Sequence, residues 1–476
     1  MKNRRDFLRK SATLTAAAAG SATLLSVGGC ESEISTQPHS PVSFQPGSTV
    51  PWINWAGNQH CTPESRFAPT TEDEIVYALK NAKGIVRPIG GSHSFSAVVP
   101  TNDTLIATDL LSGLISHDEK TQQAEVWAGT RIHNIGPLLN SIGQAMPNLP
   151  DMDYPSIGGS MATSVHGTGI RYGCIPDYVT GLSLATPSGE LLACSATENS
   201  EIFQAARTSI GALGLVSKVR LQNEPAFDLT EVSKLERTED ILDDIDARFA
   251  RHRLFEFFPV PYTDVSVSVT TDIAQEGDVN VGEDDPQLVN ALRDAYDKLA
   301  WIPAVGPALY EKILTREFKK AQSDTIRTGP SYKVLPHDRI VRFREMEYTM
   351  PVEHGPNCLR DILNTIRAKN LMMPFPLEYR HVQASDIWLS MFEGRAGASI
   401  SVHQFGDIDY KAVFAEIEPI FWKYEGRPHW GKIHTLKAEQ LSALYPKHWQ
   451  DFQEVRRALD PQGKMMNDHL KALFIA

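Results

Sequence analysis

The sequence predicts an α+β protein of two mixed domains set behind a leader. Three observations predict it. Up to about Pro225, short apolar runs alternate with helical stripes and glycine or proline punctuation, as in a domain of short strands and short helices. From Phe227 the texture changes to charged helical stretches between strands of period two. Residues 11–50 differ from both, carrying almost no charge and much Ala, Ser, Thr and Gly.

With 476 residues the chain holds one large or two to three ordinary domains, enough for an extensive core without disulfide or metal staples. Lys+Arg 46 against Asp+Glu 58 leaves a net charge of -12, and no basic block follows residue 10. A nucleic-acid surface needs clustered Lys and Arg, so no DNA or RNA partner is expected.

Residues 1–29 read as an address. Asn3-Arg4-Arg5-Asp6-Phe7-Leu8 precedes a weakly apolar run, Ser11 to Gly29, laid out like a signal peptide and too polar for a stop-transfer helix. The paired arginines followed by Phe7-Leu8 resemble a twin-arginine signal, which bacteria use to export proteins already folded, so the periplasm is the expected location. Leu25-Ser26-Val27-Gly28-Gly29-Cys30 resembles a lipoprotein cleavage site with Cys30 acylated as a membrane anchor; an ordinary cleavage nearby, with Cys30 incidental, is the alternative. Residues 30–50, rich in Ser, Pro, Thr and Gln, read as a tether.

The first domain spans residues 51–226. Thr71-Glu72-Asp73-Glu74 is a capping box, opening a helix with Ile75, Leu79 and Ala82 on one stripe and Gly84 as its stop. Ile85–Ile89, Leu105–Thr108 and Ala124–Ala128 predict strands, and Ile132–Ile142 predicts a helix. Gly181–Thr186 and Glu190–Cys194 flank Pro187-Ser188-Gly189 as a hairpin. Glu201–Ala206 follows as a helix and Gly214–Leu221 as a strand.

The second domain spans 227–424. Glu236–His252 and Leu288–Leu299 predict helices around a strand at Asp264–Thr270. Glu276–Pro286 predicts an acidic mobile loop, Ala396–Phe405 a strand and Tyr410–Phe421 a helix. Residues 425–476 form a separate C-terminal segment, and no internal repeat is visible.

Cys30, Cys61, Cys174, Cys194 and Cys358 form no CxxC pair and no ligand spacing with histidine, so no metal is expected. Cys174 and Cys194 read as buried small residues, whereas Cys61 is open to pairing in an oxidising compartment. The chain has no GxxxxGK[ST], HExxH or GxSxG. Gly167-Thr168-Gly169-Ile170-Arg171-Tyr172-Gly173 is one residue too long for a dinucleotide fingerprint and lacks the strand-then-helix context, which disfavours a Rossmann NAD site.

Three glycine segments do share one domain: Gly90-Gly91-Ser92-His93-Ser94, Gly158-Gly159-Ser160-Met161-Ala162-Thr163 and Gly211-Ala212-Leu213-Gly214. Glycine with Ser or Thr exposes successive N–H groups that wrap a pyrophosphate. Any one alone is more often a turn; the three together point to an extended nucleotide cofactor.

With their flanks, Val86–Phe95, Pro155–Gly169 and Ser209–Gly214 resemble the PCMH-type FAD-binding domain of the vanillyl-alcohol-oxidase-type flavoproteins. Arg427-Pro428-His429-Trp430-Gly431-Lys432 and Leu459-Asp460-Pro461-Gln462-Gly463-Lys464-Met465-Met466-Asn467 are similar to the sugar-1,4-lactone oxidase and alditol oxidase branch. The resemblance runs in order from about Arg66 to the C-terminus, weakest in the middle of the second domain.

That resemblance implies a PCMH-type FAD-binding domain, a substrate-binding cap domain with an antiparallel sheet, and a C-terminal segment returning to the flavin. It implies FAD contacts from Arg87, Ile89, Gly90, Gly91, Ser92, His93 and Ser94 in the first segment. Pro150 follows, then Ser156, Gly158, Gly159, Ser160 and Thr163, with His166 and Gly167 behind them. Gly214, Val216 and Asn467 complete the set. His93 stands where the branch ties the flavin covalently through a ring methyl; a histidine hydrogen-bonded in a turn is the plainer alternative.

On the substrate side, Glu378 and Arg380 lie two apart and so share a strand face, as do Ser401 and His403. On pattern alone the first pair is a cross-strand ion pair on a wet sheet and His403 a satisfied polar residue. The resemblance implies that Glu378, Arg380, His403 and Lys432 surround a polyol or lactone pocket. The implied reaction removes hydride from a CH–OH group of a sugar-derived polyol or aldono-1,4-lactone to flavin N5, with oxygen as acceptor giving hydrogen peroxide. His403 takes or orients the hydroxyl proton, Arg380 and Lys432 hold hydroxyls and negative charge, and Glu378 orients Arg380 or binds a hydroxyl. Asp151 replaces a small residue of the alditol oxidases and either binds hydroxyls, alters the substrate or faces water. A dehydrogenase passing electrons to a quinone or cytochrome, and a sugar-binding lipoprotein without chemistry, are the alternatives.

Overall fold

The computed structural model describes residues 49–278, 324–337 and 341–475, with Arg293, Asp297 and Lys312 besides. The leader, most of the tether with Cys30, most of the acidic stretch 276–286 and, save Arg293 and Asp297, the helix expected over 288–299 lie outside the described residues.

The capping box forms around α1 (Glu72–Asn81): the Thr71 hydroxyl accepts the Glu74 N–H at 3.2 Å, and the Glu74 carboxylate reaches back to the Thr70 N–H at 2.6 Å. Ile75 and Leu79 pack in one cluster with Val86, Ile106 and Met465. There they back a parallel sheet of β1 (Ser65–Phe67), β2 (Val86–Ile89) and β3 (Thr104–Ala107), ordered β1-β3-β2. An antiparallel sheet follows from β4 (Leu114–Asp118), β5 (Gln123–Trp127), β6 (Val179–Ala185), β7 (Leu191–Ser195) and β8 (Leu215–Gln222), ordered β7-β6-β8-β5-β4. The expected hairpin joins β6 to β7, Ala185 opposite Leu191. Helices α2 (Ile132–Asn140), α3 (Ile157–Ala162) and α4 (Ser200–Ala206) complete this part.

The cap is one eight-stranded antiparallel sheet. Its strands are β9 (Asp228–Arg237), β10 (Leu254–Pro259), β11 (Val265–Ile273), β12 (Thr325–Pro330), β13 (Phe343–Pro351), β14 (Glu378–Val382), β15 (Gly397–Phe405) and β16 (Arg427–Pro428). Their order is β12-β9-β11-β10-β14-β15-β13-β16. One expectation needs correcting: Glu236–His252 is not a single helix. Pairing on β9 with β11 carries the strand through Arg237, and two short helices, α5 (Thr238–Asp243) and α6 (Ile245–Arg251), follow. Cross-strand pairing outweighs the helical preference of Glu, Leu and Arg there.

Opposed residues of an antiparallel pair share a face, so the register can be read as rows. Glu345 lies opposite His403, and Glu347 and Glu378 both lie opposite Ser401. Arg380 lies opposite Ser399 and Glu256, Glu256 opposite Val269, and Val269 opposite Ser233. Glu231 lies opposite Thr271 and Arg327. One face is therefore dense in acids and bases although it is buried. The other is apolar: Phe257 stacks on Tyr379 at 4.8 Å and Tyr348 on Phe421 at 4.8 Å, under α7 (Gly355–Ala368) and α8 (Lys411–Lys423).

The C-terminal segment closes on the first domain. The Phe95 N–H donates to Gly431 O at 2.7 Å, and the Val86 N–H to Lys464 O at 2.8 Å. Cys61, Cys174, Cys194 and Cys358 are buried and unpaired. No helix among the described residues is long and apolar enough to cross a membrane.

Candidate active site

The polar face of the cap and the three glycine segments of the first domain line a single cavity. On the glycine side the loop after β2 turns sharply, with Ser92 at φ +58° held by the Trp52 indole N–H at 3.0 Å. The carbonyls of Ser92 and Ser94 are taken by the Trp55 N–H and the Asn54 amide. The N–H groups of Gly91, Ser92, His93 and Ser94 have no acceptor among the described residues. Gly90 lets this loop settle on α3, since a Cβ there would overlap the Ser156 hydroxyl that caps the Gly159 N–H. Buried Ser160 Oγ has no hydrogen bond. A run of unsatisfied donors against closely packed glycines, with Ser160 Oγ as a buried orphan, fits the pyrophosphate and ring of FAD.

His93 stands on this wall between aromatic rings, stacked on Trp55 at 5.3 Å and Tyr154 at 5.8 Å. Burial, then the charges of Arg131, Lys432 and Arg342, push its pKa down to about 3, so the imidazole is neutral at physiological pH. Arg87 also lines the cavity, but its guanidinium donates to Val98, Ile210, Gly211 and Met465 carbonyls. It fastens the third glycine segment and the C-terminal segment to β2.

The cap side is a chain of ion pairs. Arg380 donates to Glu347 Oε1 at 2.9 Å and to His166 O at 3.3 Å, and its Nε lies 3.4 Å from Glu378 Oε1. His166 Nε2 touches Glu347 Oε1 at 2.9 Å, while Nδ1 donates to Gly167 O. Lys432 pairs with Glu345, whose other oxygen lies 3.6 Å from His403 Nε2. The His403 Nδ1–H donates to Pro376 O at 2.9 Å, which leaves the Nε2 lone pair directed away from the backbone.

Burial raises carboxyls here and the cations oppose it. Burial would lift Glu345, but Lys432 and then His403 hold it at about 2. Burial raises Glu378, with Arg380 opposing and Asp151 assisting. Half-buried Glu256 is pushed up to about 8 by desolvation, then by the neighbouring charges of Glu378 and Asp151. Glu347 Oε2 and Ser401 Oγ are buried without a hydrogen-bond partner, and Glu378 Oε1 and Arg380 Nε make no hydrogen bond beyond their 3.4 Å ion pair. Such orphans cost about 1–3 kcal/mol each unless a ligand meets them.

The structure thus brings Glu378, Arg380, His403 and Lys432 to one cavity with Arg87 through Ser94, Pro150, Ser156, Gly158 through Ser160, Thr163, His166, Gly214 and Val216. His166 lies on the cap side of it, against Glu347 and Phe392. Asp151 lines the cavity too and does not simply face water: it holds His337 Nδ1 at 2.6 Å. Two expected contacts fall elsewhere. Gly167 lies on Asn148 and Leu149, beside a small neighbouring cavity. The Asn467 side chain caps the last helix and donates to Ala97 O and Pro100 O, fastening the loop behind the glycines.

The sequence patterns above do not single out Glu231, Glu256, Glu345, Glu347 or His337. A signal exists for two of them. Phe343-Arg344-Glu345-Met346-Glu347-Tyr348 repeats the alternation of Glu378-Tyr379-Arg380.

This is a two-domain flavoprotein of the PCMH fold. Residues 63–195 match the FAD binding domain family and residues 219–473 match the D-arabinono-1,4-lactone oxidase family. The chain belongs to the D-arabinono-1,4-lactone oxidase family, and is an FAD-dependent oxidoreductase acting on CH–OH donors. It is 33% identical to an L-gulono-1,4-lactone dehydrogenase of Mycobacterium tuberculosis, over 89% of this chain and 99% of that one. It is 29% identical to an alditol oxidase of Streptomyces sp. (88% and 98%) and 28% identical to the L-gulonolactone oxidase of Bos taurus (89% and 98%). A crystal structure of cholesterol oxidase from B. sterolicum superposes with a TM-score of 0.74 at 16% identity, covering 92% of this chain and 99% of that one, and so shares the fold.

Proposed function

We propose that the protein oxidises a CH–OH group of a neutral, hydroxyl-rich sugar derivative, an aldono-1,4-lactone or an alditol, with oxygen as acceptor. The observation that carries this is the set of buried polar atoms without a hydrogen bond, Glu378 Oε1, Glu347 Oε2 and Arg380 Nε, on residues that line the same cavity as the glycine segments. Bound FAD supplies the hydride-accepting N5; the protein supplies everything else. His403 accepts the hydroxyl proton at Nε2, its ring held by Pro376 O. Arg380 and Lys432 orient hydroxyls and keep positive charge beside the cofactor. Glu345 and Glu347 hold those two cations in place.

Charge balance argues for a neutral substrate. Apart from Arg87, whose guanidinium is spent on backbone carbonyls, each Lys or Arg of the described cavity wall, and His337 with them, is matched by a carboxylate: Lys432 by Glu345, Arg380 by Glu347, Arg327 and His337 by Glu231 and Asp151. An aldonate, with its own carboxylate, brings charge that this wall does not compensate.

Neutral His93 in its aromatic slot suits a covalent tie to the flavin, since only the unprotonated ring is a nucleophile. The oxygen reading rests on Pro150, whose ring lines the cavity where the branch approaches its flavin. A dehydrogenase passing electrons to a quinone or cytochrome is the second reading, favoured by the mycobacterial relative's name. Export by the twin-arginine route, with Cys30 acylated, fits either acceptor and rests on residues 1–30 alone. Oxygen consumption against dye reduction, over a panel of alditols and aldonolactones, separates the two.

A further inference from the structure

The cavity is longer than this chemistry requires. The reacting groups sit on β14, β15 and β13, whereas the same face continues over β10, β11, β9 and β12. At a strand spacing of about 4.8 Å, Ser233 on β9 lies three strands from Arg380, about 14 Å along the sheet, and Thr325 one strand further. A five- or six-carbon alditol or lactone spans only about 6–8 Å from its C–C bond lengths. Yet Ser233, Thr325, Glu231, Arg327, His337 and Asp151 line the cavity together with the catalytic groups.

This arm is built. His337 lies between two carboxylates, Nδ1 at 2.6 Å from Asp151 and Nε2 at 3.3 Å from Glu231. Glu231 also takes Arg327 Nη1 at 3.3 Å from the adjacent strand, and Arg327 Nη2 donates to Lys333 O at 2.8 Å. Among the described residues two carboxylates face two cations here, a balance that favours a neutral ligand over an ion. Ser233 and Thr325 line the same arm beside apolar Phe258, Val267 and Val269. Alternating polar edges and apolar patches are what a sugar ring, with equatorial hydroxyls and C–H faces, requires.

We propose that this arm, walled by Asp151, Glu231, Ser233, Thr325, Arg327 and His337, is a second sugar subsite that takes a neutral glycosyl unit at the end of the substrate remote from the reacting carbon. The inference rests on the function proposed above and extends its substrate class to glycosylated alditols or lactones. The alternative is that the ion pairs only strap the loop after Asn148 to the cap.

The test is steady-state kinetics of the FAD-loaded full-length enzyme on sorbitol against 6-O-glucosylsorbitol, and on an aldono-1,4-lactone against its terminally O-glucosylated derivative. The extended member of the oxidised pair is expected to show a KM at least about fivefold lower. Ser233→Val and Thr325→Val, conservative in a strand, are expected to raise that KM about tenfold and leave the parent's within twofold. An extended substrate that is not oxidised while its parent is, or a KM unmoved by both variants, overturns the subsite and leaves the proposed function standing. If neither parent is oxidised, the proposed function falls. Titration of the oxidised holoprotein with both members, followed by the flavin spectrum, then decides the subsite by whether the variants weaken the extended ligand alone.

Discussion

Replacing Asp151 by Asn tests the electrostatics of the cavity in the intact protein. Burial would lower the His337 pKa, but Asp151 and then Glu231 outweigh it and raise it from 6.5 to about 10. A raised folded pKa contributes stability that is fully present below pH 6.5 and is lost as the pH rises through 10. At 1.36 kcal/mol per tenfold change in proton affinity, the rise corresponds to about 5 kcal/mol for a pair wholly out of water. The two side chains are 13% and 16% exposed, which brings the share expected from Asp151 to about 2 kcal/mol. For a chain of this size that lowers the unfolding temperature by about 2–4 °C. The assay is thermal unfolding of the holoprotein, wild type against Asp151→Asn, from pH 6 to 10. The gap between the two is expected to be full near pH 6 and to close towards pH 10. A gap that stays constant, or widens with pH, refutes the reasoning.

Further outcomes follow from the same geometry. His403→Gln keeps a donor for Pro376 O but removes the base, so flavin reduction by substrate is expected to slow by about 10²–10⁴ with FAD content unchanged; a loss under tenfold assigns the proton elsewhere. Gly90→Ala pushes on the Ser156 hydroxyl and the α3 cap, and is expected to lower the FAD-to-protein ratio after purification, with Ser156→Gly in the same chain restoring part of it. His93→Ala is expected to abolish acid-stable yellow colour while FAD remains bound; colour that wild type itself loses on acid precipitation refutes the covalent tie.

How much of this was legible in the sequence follows the range of the interactions. Gly90–Ser94 could be read because glycine, serine and histidine act through their own backbone. Glu378 and Arg380 could be placed on one face because a strand alternates regardless of its neighbours. What surrounds them depends on register. Glu347 meets Arg380 only because β13 and β14 both pair with β15, and Glu256 meets it only through β10. Charged residues at every second position ordinarily mark a wet face, so Glu345 and Glu347 look like solvent-facing residues until a second domain covers them. The Asp151–His337–Glu231 chain joins residues up to 186 positions apart, beyond any local pattern. The opposite error, one helix over Glu236–His252, has the same origin, because a helical composition gave way to a neighbouring strand.

The most direct measurement is anaerobic mixing of purified yellow holoprotein with alditols, aldono-1,4-lactones and the matching aldonates. At least one alditol or lactone is expected to bleach the flavin, Arg380→Met to suppress the bleaching, and the aldonates to leave the spectrum unchanged. A flavin that dithionite reduces but no alditol or lactone bleaches contradicts the account, as does one bleached best by an aldonate.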